Sequence, residues 1–219
     1  MIFATPAPRL ILFDCDSTLS AIEGVDELAR GRGPAVLAAC EALTNDAMEG
    51  RLRVEEVFAR RLELVAPAAA DAGAVARRYV EMIEPTAEAT LAELRRRGWT
   101  TMILSGGFRP MIVPLAERLG IGRIEAVELW FDAATGAYAD FDRDYPTTRS
   151  GGKPEVVARL RAEFSPSSIV MVGDGVSDLE TRPVVDRFIG FGRYVVRPKV
   201  KAGAEFFVHA LDDVLALLP

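Results

Sequence analysis

Three short apolar segments along the chain are each followed by small or acidic residues. They cover residues 9–13, 100–104 and 168–172. Uninterrupted apolar runs of this length are typical of strands that are buried on both faces of a parallel sheet. We therefore expect these segments to be neighbouring strands of one buried sheet.

Helical periodicity precedes the second and the third of these strands and also follows the second. The segment 85–97 ends at Gly98, the segment 109–119 ends at Gly120, and the segment 154–164 opens with Pro154 at the expected first helical position. Strand and helix thus alternate along the chain. This alternation predicts an α/β fold in which helices cover both faces of a doubly wound parallel sheet.

One stretch, residues 20–84, interrupts the alternation because it carries only helical periods. These periods cover residues 23–30, 35–49, 54–65 and 71–84. We expect an all-helical cap here, inserted after the first strand into a core made of residues 1–19 and 85–219. A second irregular stretch, residues 124–141, has strand-like pieces around Thr135 and Gly136 that predict a hairpin.

Composition narrows the class of protein. The chain has 219 residues, with 26 Lys and Arg against 32 Asp and Glu and a formal charge of −6, which argues against nucleic-acid binding. No apolar run is long enough to cross a membrane, and residues 1–8 contain no signal-peptide core. Two cysteines in a chain of this size favour a reducing cytoplasm. We expect a cytoplasmic protein whose partner is a small molecule.

Polar side chains follow each predicted strand, where open α/β sheets bind their ligands. The first strand leads to Asp14 and Asp16, the second to Ser105, Gly106 and Gly107, and the third to Asp174 and Asp178, while Lys153 opens the helix before the third strand. The single histidine, His209, lies far along the chain from these groups, which excludes chemistry that needs a histidine pair.

Clustered carboxylates repel one another unless a hard cation binds, and oxygen ligands of this kind suit Mg²⁺. A phosphate dianion would gain positive charge from Mg²⁺ and Lys153, and hydrogen bonds from Ser105 and the glycine N–H groups. Asp14 can then attack phosphorus as a nucleophile while Asp16 acts as general acid and base. The constellation predicts phosphoryl transfer. The plainer interpretation of each acid is a turn or helix-cap residue, and that of Lys153 is a solvated loop lysine.

Several motifs taken in order resemble the haloacid-dehalogenase superfamily and, within it, the phosphoserine phosphatase family. They are DCDST at 14–18, EGVDEL at 23–28, SGGF at 105–108 and GDGVSD at 173–178. The segments YADF at 138–141, SGGK at 150–153 and FIGFG at 188–192 are similar to the eukaryotic-type branch.

The resemblance implies Mg²⁺-dependent hydrolysis of O-phospho-L-serine through an aspartyl phosphate, the last step of serine biosynthesis. It implies a metal site formed by Asp14, Asp16 through its backbone carbonyl, Asp174 and Asp178. Phosphate would contact Ser105, Gly106, Gly107 and Lys153. Four residues would bind the serine moiety of the substrate: Glu23, Met48, Arg61 and Ser177. We also expect a homodimer.

Three departures from the family pattern leave the substrate open. They are Val54 in place of Phe, Ser177 in place of Asn or Thr, and the stretch 126–130. Another small phosphomonoester is one alternative. A phosphotransferase that passes the phosphoryl group to a hydroxyl acceptor such as homoserine is a second, and a catalytically silent ligand-binding protein is a third.

Helical spacing distinguishes Arg60 from Arg61. Arg61 falls on the apolar stripe that contains Val57 and Leu62, whereas Arg60 falls on the polar face. An arginine on an apolar face needs an anionic partner, either the substrate carboxylate or a structural acid. The alternatives for Glu23 and Met48 are a solvated first-turn acid and a residue of the cap core. Between the two aspartates, Cys15 is expected to be a buried, unreactive thiol.

Overall fold

A computed structural model describes residues 6–48 and 52–219 of the chain. Its centre is a six-stranded parallel sheet with the order β3-β2-β1-β6-β7-β8. The strands are β1 (Arg9–Phe13), β2 (Trp99–Phe108), β3 (Arg123–Val127), β6 (Ser168–Gly173), β7 (Arg187–Phe191) and β8 (Phe206–Val208). Since β1 lies between β2 and β6, the segments that follow these three strands come together at one edge of the sheet.

Helices cover the sheet and fill the stretch between β1 and β2. That stretch contains α1 (Gly24–Gly31), α2 (Pro34–Met48), α3 (Val54–Val65) and α4 (Ala69–Glu81). The remaining helices are α5 (Ala87–Arg96), α6 (Arg109–Leu119), α7 (Gly152–Phe164), the short α8 (Val176–Leu179) and α9 (Pro198–Gly203). The predicted α/β fold with a doubly wound parallel sheet is confirmed.

Strand β1 is buried on both faces, as its uninterrupted apolar run predicts. Ile11 and Phe13 belong to the larger hydrophobic cluster, whereas Leu10 and Leu12 belong to a second cluster on the opposite face. Each of the four side chains has no exposed surface. Burying large apolar side chains on both faces contributes on the order of 2 kcal/mol apiece and holds the strand that carries Asp14.

We call residues 20–84 the helical cap, and two adjacent chain segments join it to the sheet. Ser20 and Ile83 form an isolated antiparallel bridge. The N–H of Ala21 donates to the carbonyl of Met82 over 2.9 Å. All elements described within this stretch are helices, apart from that bridge. The cap as an independent domain stays a prediction.

Two predicted boundaries are wrong, and both lie near the candidate site. Strand β2 continues through Ser105 to Phe108 with a break in its pairing to β3 after Leu104, so the two glycines form an irregular strand end. Helix α7 begins at Gly152, which places Pro154 third in the helix. That position is still in the first turn, where a missing backbone N–H leaves no hydrogen bond unmade.

The predicted hairpin is confirmed. Strand β4 (Leu129–Phe131) pairs antiparallel with β5 (Tyr138–Phe141), and its turn contains Gly136 with a φ of 70°. The carbonyl of Gly136 accepts a hydrogen bond of 2.8 Å from the N–H of Ala69 in the cap. In the part of the chain described, no helix combines the length and the apolar character needed to cross a membrane.

Candidate active site

Three carboxylates meet at the carboxyl edge of the sheet. Asp14 follows β1, and Asp174 and Asp178 follow β6. One oxygen from each of the three lies within 4.8 Å of the others. Relative exposures of 8%, 3% and 0% show that the cluster is shielded from bulk water. The predicted convergence of these residues is therefore present in the structure.

The segment Cys15–Leu19, which we call the Asp14 loop, is a compact turn fixed by its own hydrogen bonds. The N–H of Ser20 donates to the carbonyl of Cys15 over 3.1 Å, and Ser17 takes a positive φ of 51°. Thr18 Oγ1 donates to Asp174 Oδ1 over 3.2 Å and so ties the loop to the segment after β6. Cys15 itself is a buried free thiol, and burial raises its pKa well above the usual value.

Lys153 connects two of the acids. Its Nζ lies 3.1 Å from Asp14 Oδ1 and 2.5 Å from Asp178 Oδ1, with the side chain 3% exposed. Burial opposes the positive charge, but the nearby carboxylates of Asp14 and Asp178 outweigh it and raise the pKa of Lys153. Gly152, the preceding residue, lets the start of α7 pack closely against the segment before it, since a Cβ there would lie 1.7 Å from the carbonyl oxygen of Pro146.

Asp16 lies apart from this ion pair and has different partners. Its Oδ1 accepts hydrogen bonds from the N–H of Gly24, over 3.3 Å, and from the hydroxyl of Tyr79. Burial, followed by the nearby charges of Glu23 and Asp14, raises the pKa of Asp16 well above the usual carboxyl value. Asp16 is therefore suited to hold a proton at neutral pH, as a general acid must.

The donor set fits a hard divalent cation. Burial and the charge of Asp14 raise the pKa of Asp174 to about 7. The same two causes raise the pKa of Asp178 well above its usual value, although Lys153 acts in the opposite direction. A bound cation would favour the ionised form of these buried carboxyl groups, because it offsets their negative charge. Carboxylate oxygens are the ligands that Mg²⁺ prefers.

The end of β2 brings backbone without side chains, at Gly106 and Gly107, close to Asp16. Ser105 is buried, and its Oγ accepts a hydrogen bond of 2.9 Å from the N–H of Gly107. A Cβ on Gly107 would lie 3.2 Å from Ser105 Oγ and 3.4 Å from Asp16 Oδ2. Gly106 next to it is partly exposed. Because residue 107 has no side chain, the backbone of β2 lies close to both Ser105 Oγ and Asp16 Oδ2.

The residues predicted to bind the serine moiety are distributed over the cap and the edge of the site. Glu23 precedes α1 and accepts a 2.7 Å hydrogen bond from Ser17 Oγ. Burial raises the pKa of Glu23. Ser177 is exposed in α8. Met48 ends α2, and its side chain lies outside the part of the chain that the structure describes.

Arg61 is partly buried and Arg60 is exposed, as their helical spacing predicts. Arg61 Nη2 forms an ion pair with Asp26 of α1. Its Nε is buried and has no hydrogen-bond partner among the described residues. In the structure, therefore, the anionic partner of Arg61 is a structural acid of the cap, which is one of the two alternatives that the sequence left open.

Two residues at the site have no counterpart among the predicted ones. Arg197 Nε donates to Asp174 Oδ2 over 3.1 Å, and its Nη2 lies 3.6 Å from Glu23 Oε1. Tyr79 reaches Asp16 from α4. Arg197 follows β7, so its position after a strand was the available signal. For Tyr79 the signal was a hydroxyl on the apolar face that Val75 and Ala76 share.

Comparison with known proteins places this arrangement in a family. The haloacid dehalogenase-like hydrolase model matches residues 11–181. Phosphoserine phosphatase from Bos taurus is 34% identical over 212 residues, which cover 95% of this chain and 92% of the bovine protein. The chloroplastic phosphoserine phosphatase of Arabidopsis thaliana is 35% identical over 211 residues, which cover 94% of this chain and 70% of the plant protein.

Solved structures give the same grouping. A phospho-aspartyl intermediate analogue of a phosphoserine phosphatase superposes with a TM-score of 0.82 at 26% identity, covering 97% of this chain and 100% of that one. A phosphoserine phosphohydrolase-like protein from Francisella tularensis has a TM-score of 0.85 at 23% identity, covering 96% and 100%, and shares the fold. The chain therefore belongs to the haloacid dehalogenase-like hydrolases and groups in sequence with their phosphoserine phosphatases.

Proposed function

We propose that this hydrolase cleaves O-phospho-L-serine to L-serine and phosphate through an aspartyl phosphate on Asp14. The observation that carries the proposal is the contrast between two neighbouring carboxyls. Asp14 is ion-paired with Lys153, whereas Asp16 is held away from that cation and has a raised pKa. A carboxylate paired with a cation, next to an acid whose pKa is raised, is the pattern expected for a nucleophile and a general acid.

In the first step, a carboxylate oxygen of Asp14 attacks phosphorus and the bond between phosphorus and the seryl oxygen breaks. Asp16 gives its proton to that oxygen, so serine leaves as the neutral alcohol. In the second step, a water molecule attacks the phosphorus of the aspartyl phosphate and loses its proton to Asp16. Phosphate leaves, and both acids return to their starting states.

Asp14, Asp174 and Asp178, together with the backbone carbonyl of Asp16, would hold Mg²⁺. When bound, the ion would offset the negative charge of the carboxylates and of the transferring phosphoryl group. Lys153 adds a second positive charge beside Asp14, and its 2.5 Å contact with Asp178 keeps the ammonium in place. Ser105 and the N–H of Gly106 would bind the phosphoryl oxygens, while the N–H of Gly107 donates to Ser105 Oγ.

The serine part of the substrate carries an ammonium and a carboxylate. Glu23 is the candidate partner for the ammonium, since its carboxylate lies beside the site, where it accepts from Ser17 Oγ and contacts Arg197. Arg61 and Arg197 are the candidate partners for the carboxylate, because Arg61 has an unpaired buried Nε and Arg197 contacts both Glu23 and Asp174. The names of the bovine and plant relatives support the same substrate.

A substrate panel tests the proposal. Phosphoserine, phosphothreonine, phosphohomoserine and simple sugar phosphates would be assayed with Mg²⁺, with phosphate and the free alcohol measured in parallel. We expect phosphoserine to have the highest kcat/KM and the two products to appear in equal amounts. A sugar phosphate with a higher kcat/KM would reassign the substrate. Release of alcohol without phosphate when an acceptor such as homoserine is added would indicate a phosphotransferase.

A cytoplasmic location and a homodimer stay predictions that accompany this function. The two cysteines are free and buried, which fits a chain that needs no disulfide. Light scattering of the purified protein would test the dimer, since a mass near 23.8 kDa would identify a monomer.

A further inference from the structure

The side chain of Tyr79 connects the helical cap to the Asp14 loop. Tyr79 lies on α4 and has no exposed surface. Its ring belongs to the larger hydrophobic cluster, and its hydroxyl donates a hydrogen bond to Asp16 Oδ1. The reaction steps described above do not use this hydroxyl, although it contacts the acid that moves the proton.

The two oxygens of Asp16 have different surroundings. Oδ1 accepts from the Tyr79 hydroxyl and from the N–H of Gly24. Oδ2 lies on the side of Gly107, because a Cβ built on that glycine would be 3.4 Å away from it. Gly107 belongs to the segment that binds phosphate in the proposed function. The oxygen that Tyr79 does not hold is therefore the one beside the reacting groups.

The absence of a side chain at residue 24 makes this arrangement possible. A Cβ on Gly24 would lie 2.1 Å from the Tyr79 hydroxyl oxygen, which is less than any real contact. The glycine lets the phenol and a backbone N–H reach the same carboxyl oxygen. Two donors on one oxygen restrict rotation of the Asp16 carboxyl group about its own axis, and this rotation would otherwise exchange Oδ1 with Oδ2.

We propose that Tyr79 is a positioning residue that holds Oδ1 of Asp16, so that Oδ2 faces the leaving oxygen of the substrate. The proposal rests on the role of Asp16 in the proposed function. Tyr79 keeps its own proton throughout. The proton moves from Asp16 Oδ2 to the seryl oxygen as the ester bond breaks, and the attacking water returns a proton to Oδ2 in the second step.

Tyr79→Phe tests this role because it removes the hydroxyl and keeps the buried ring. We would compare kcat/KM for phosphoserine and for 4-nitrophenyl phosphate, whose nitrophenolate leaves without needing a proton. General acid catalysis contributes roughly 10²–10⁴-fold, and misorientation loses part of that factor. We expect a loss of about 10–100-fold for phosphoserine and of less than about threefold for the aryl phosphate. Equal losses on both substrates, or no loss on either, would overturn the proposal.

Two further variants separate the possible failures. Asp16→Asn should itself show the larger loss on phosphoserine, and if it does not, the acid role in the proposed function is wrong. If Asp16→Asn shows that larger loss and Tyr79→Phe lowers kcat/KM for neither substrate, only the proposed role of Tyr79 is wrong. Adding Tyr79→Phe to Asp16→Asn should cost nothing more, because the hydroxyl acts through Asp16, and an additive loss would count against positioning.

A matched control is Tyr145→Phe, which removes another phenol that donates to a buried carboxylate, that of Glu125. The proposed chemistry does not use this pair. We expect the control to change both substrates by the same factor and to lower the thermal midpoint by an amount similar to that of Tyr79→Phe. A preference for one substrate in the control would show that the leaving-group comparison does not report on Asp16.

Discussion

Replacing Lys153 by methionine should destabilise the protein strongly, because it removes the cation from a buried pair of acids. The ammonium lies within 3.1 Å of Asp14 and 2.5 Å of Asp178, and Asp178 has no exposed surface. Methionine keeps most of the side-chain volume. Breaking a buried ion pair by removing one partner costs about 3–5 kcal/mol, since the remaining charge is left uncompensated.

The assay is thermal denaturation at pH 8 with a chelator present. In a domain of this size, about 1 kcal/mol shifts the thermal midpoint by roughly 2–4 °C, so Lys153→Met should lower it by about 6–20 °C. Lys199→Met is the matched control, because Lys199 is exposed. An exposed substitution of this kind is expected to stay within about 0.5 kcal/mol.

The loss should become smaller as the pH falls. The pKa of Asp178 is already raised by burial, and without Lys153 the carboxyl can become neutral at a higher pH still. We expect the difference between Lys153→Met and the wild type to shrink between pH 8 and pH 5.5. If Lys153→Met costs no more than Lys199→Met at pH 8, the electrostatic account of this cluster is wrong.

Three more outcomes follow from the same geometry. In the metal-free folded state the pKa of Asp174 is raised from 3.8 to about 7, so the folded protein holds this proton more tightly than the unfolded chain does. The free energy of unfolding should therefore fall as the pH rises through that interval, by up to about 4 kcal/mol. Denaturation in chelator at pH 5.5 and pH 8 checks the sign, and higher stability at pH 8 would contradict it. Added Mg²⁺ should raise the thermal midpoint most at pH 8, and Asp174→Ala should abolish that rise. Arg61→Ala should lower kcat/KM for phosphoserine by a factor that corresponds to about 2–5 kcal/mol of transition-state binding, and it should lower kcat/KM for an aryl phosphate much less. Arg60→Ala, at an exposed position, should change kcat/KM for neither substrate. Equal losses on both substrates would mean that Arg61 serves only its ion pair with Asp26.

The core of the candidate site could be predicted from the sequence because it depends on local order. Asp14 and Asp174 each follow a buried apolar strand, Ser105 lies in the last four residues of another, and parallel strands direct their carboxyl ends to one edge. The prediction of the site required one further assumption, that the three strands are neighbours in the sheet. The structure shows that they are, since β1 pairs with β2 on one side and with β6 on the other.

The parts that could not be predicted depend on contacts between distant segments. Arg197 follows β7, whose sequence includes Arg187 and Gly190 and therefore lacks an uninterrupted apolar run. Tyr79 lies 63 residues after Asp16 along the chain, and helical spacing shows only that it belongs to an apolar face. In the same way, spacing predicts that Arg61 is partly buried, but its partner Asp26 comes from the packing of α1 against α3.

The central claim is that Asp14 carries the phosphoryl group, and trapping that intermediate tests it most directly. The enzyme would be mixed with phosphoserine labelled at phosphorus, quenched in acid, treated with borohydride to reduce an acyl phosphate to homoserine, and digested with trypsin. Cleavage after Arg9 and Arg30 releases the peptide that contains Asp14 and Asp16. We expect acid-stable label before reduction and homoserine at position 14, with neither in Asp14→Asn. Turnover with no label on the protein before reduction, or homoserine at position 16 instead of position 14, would contradict the account.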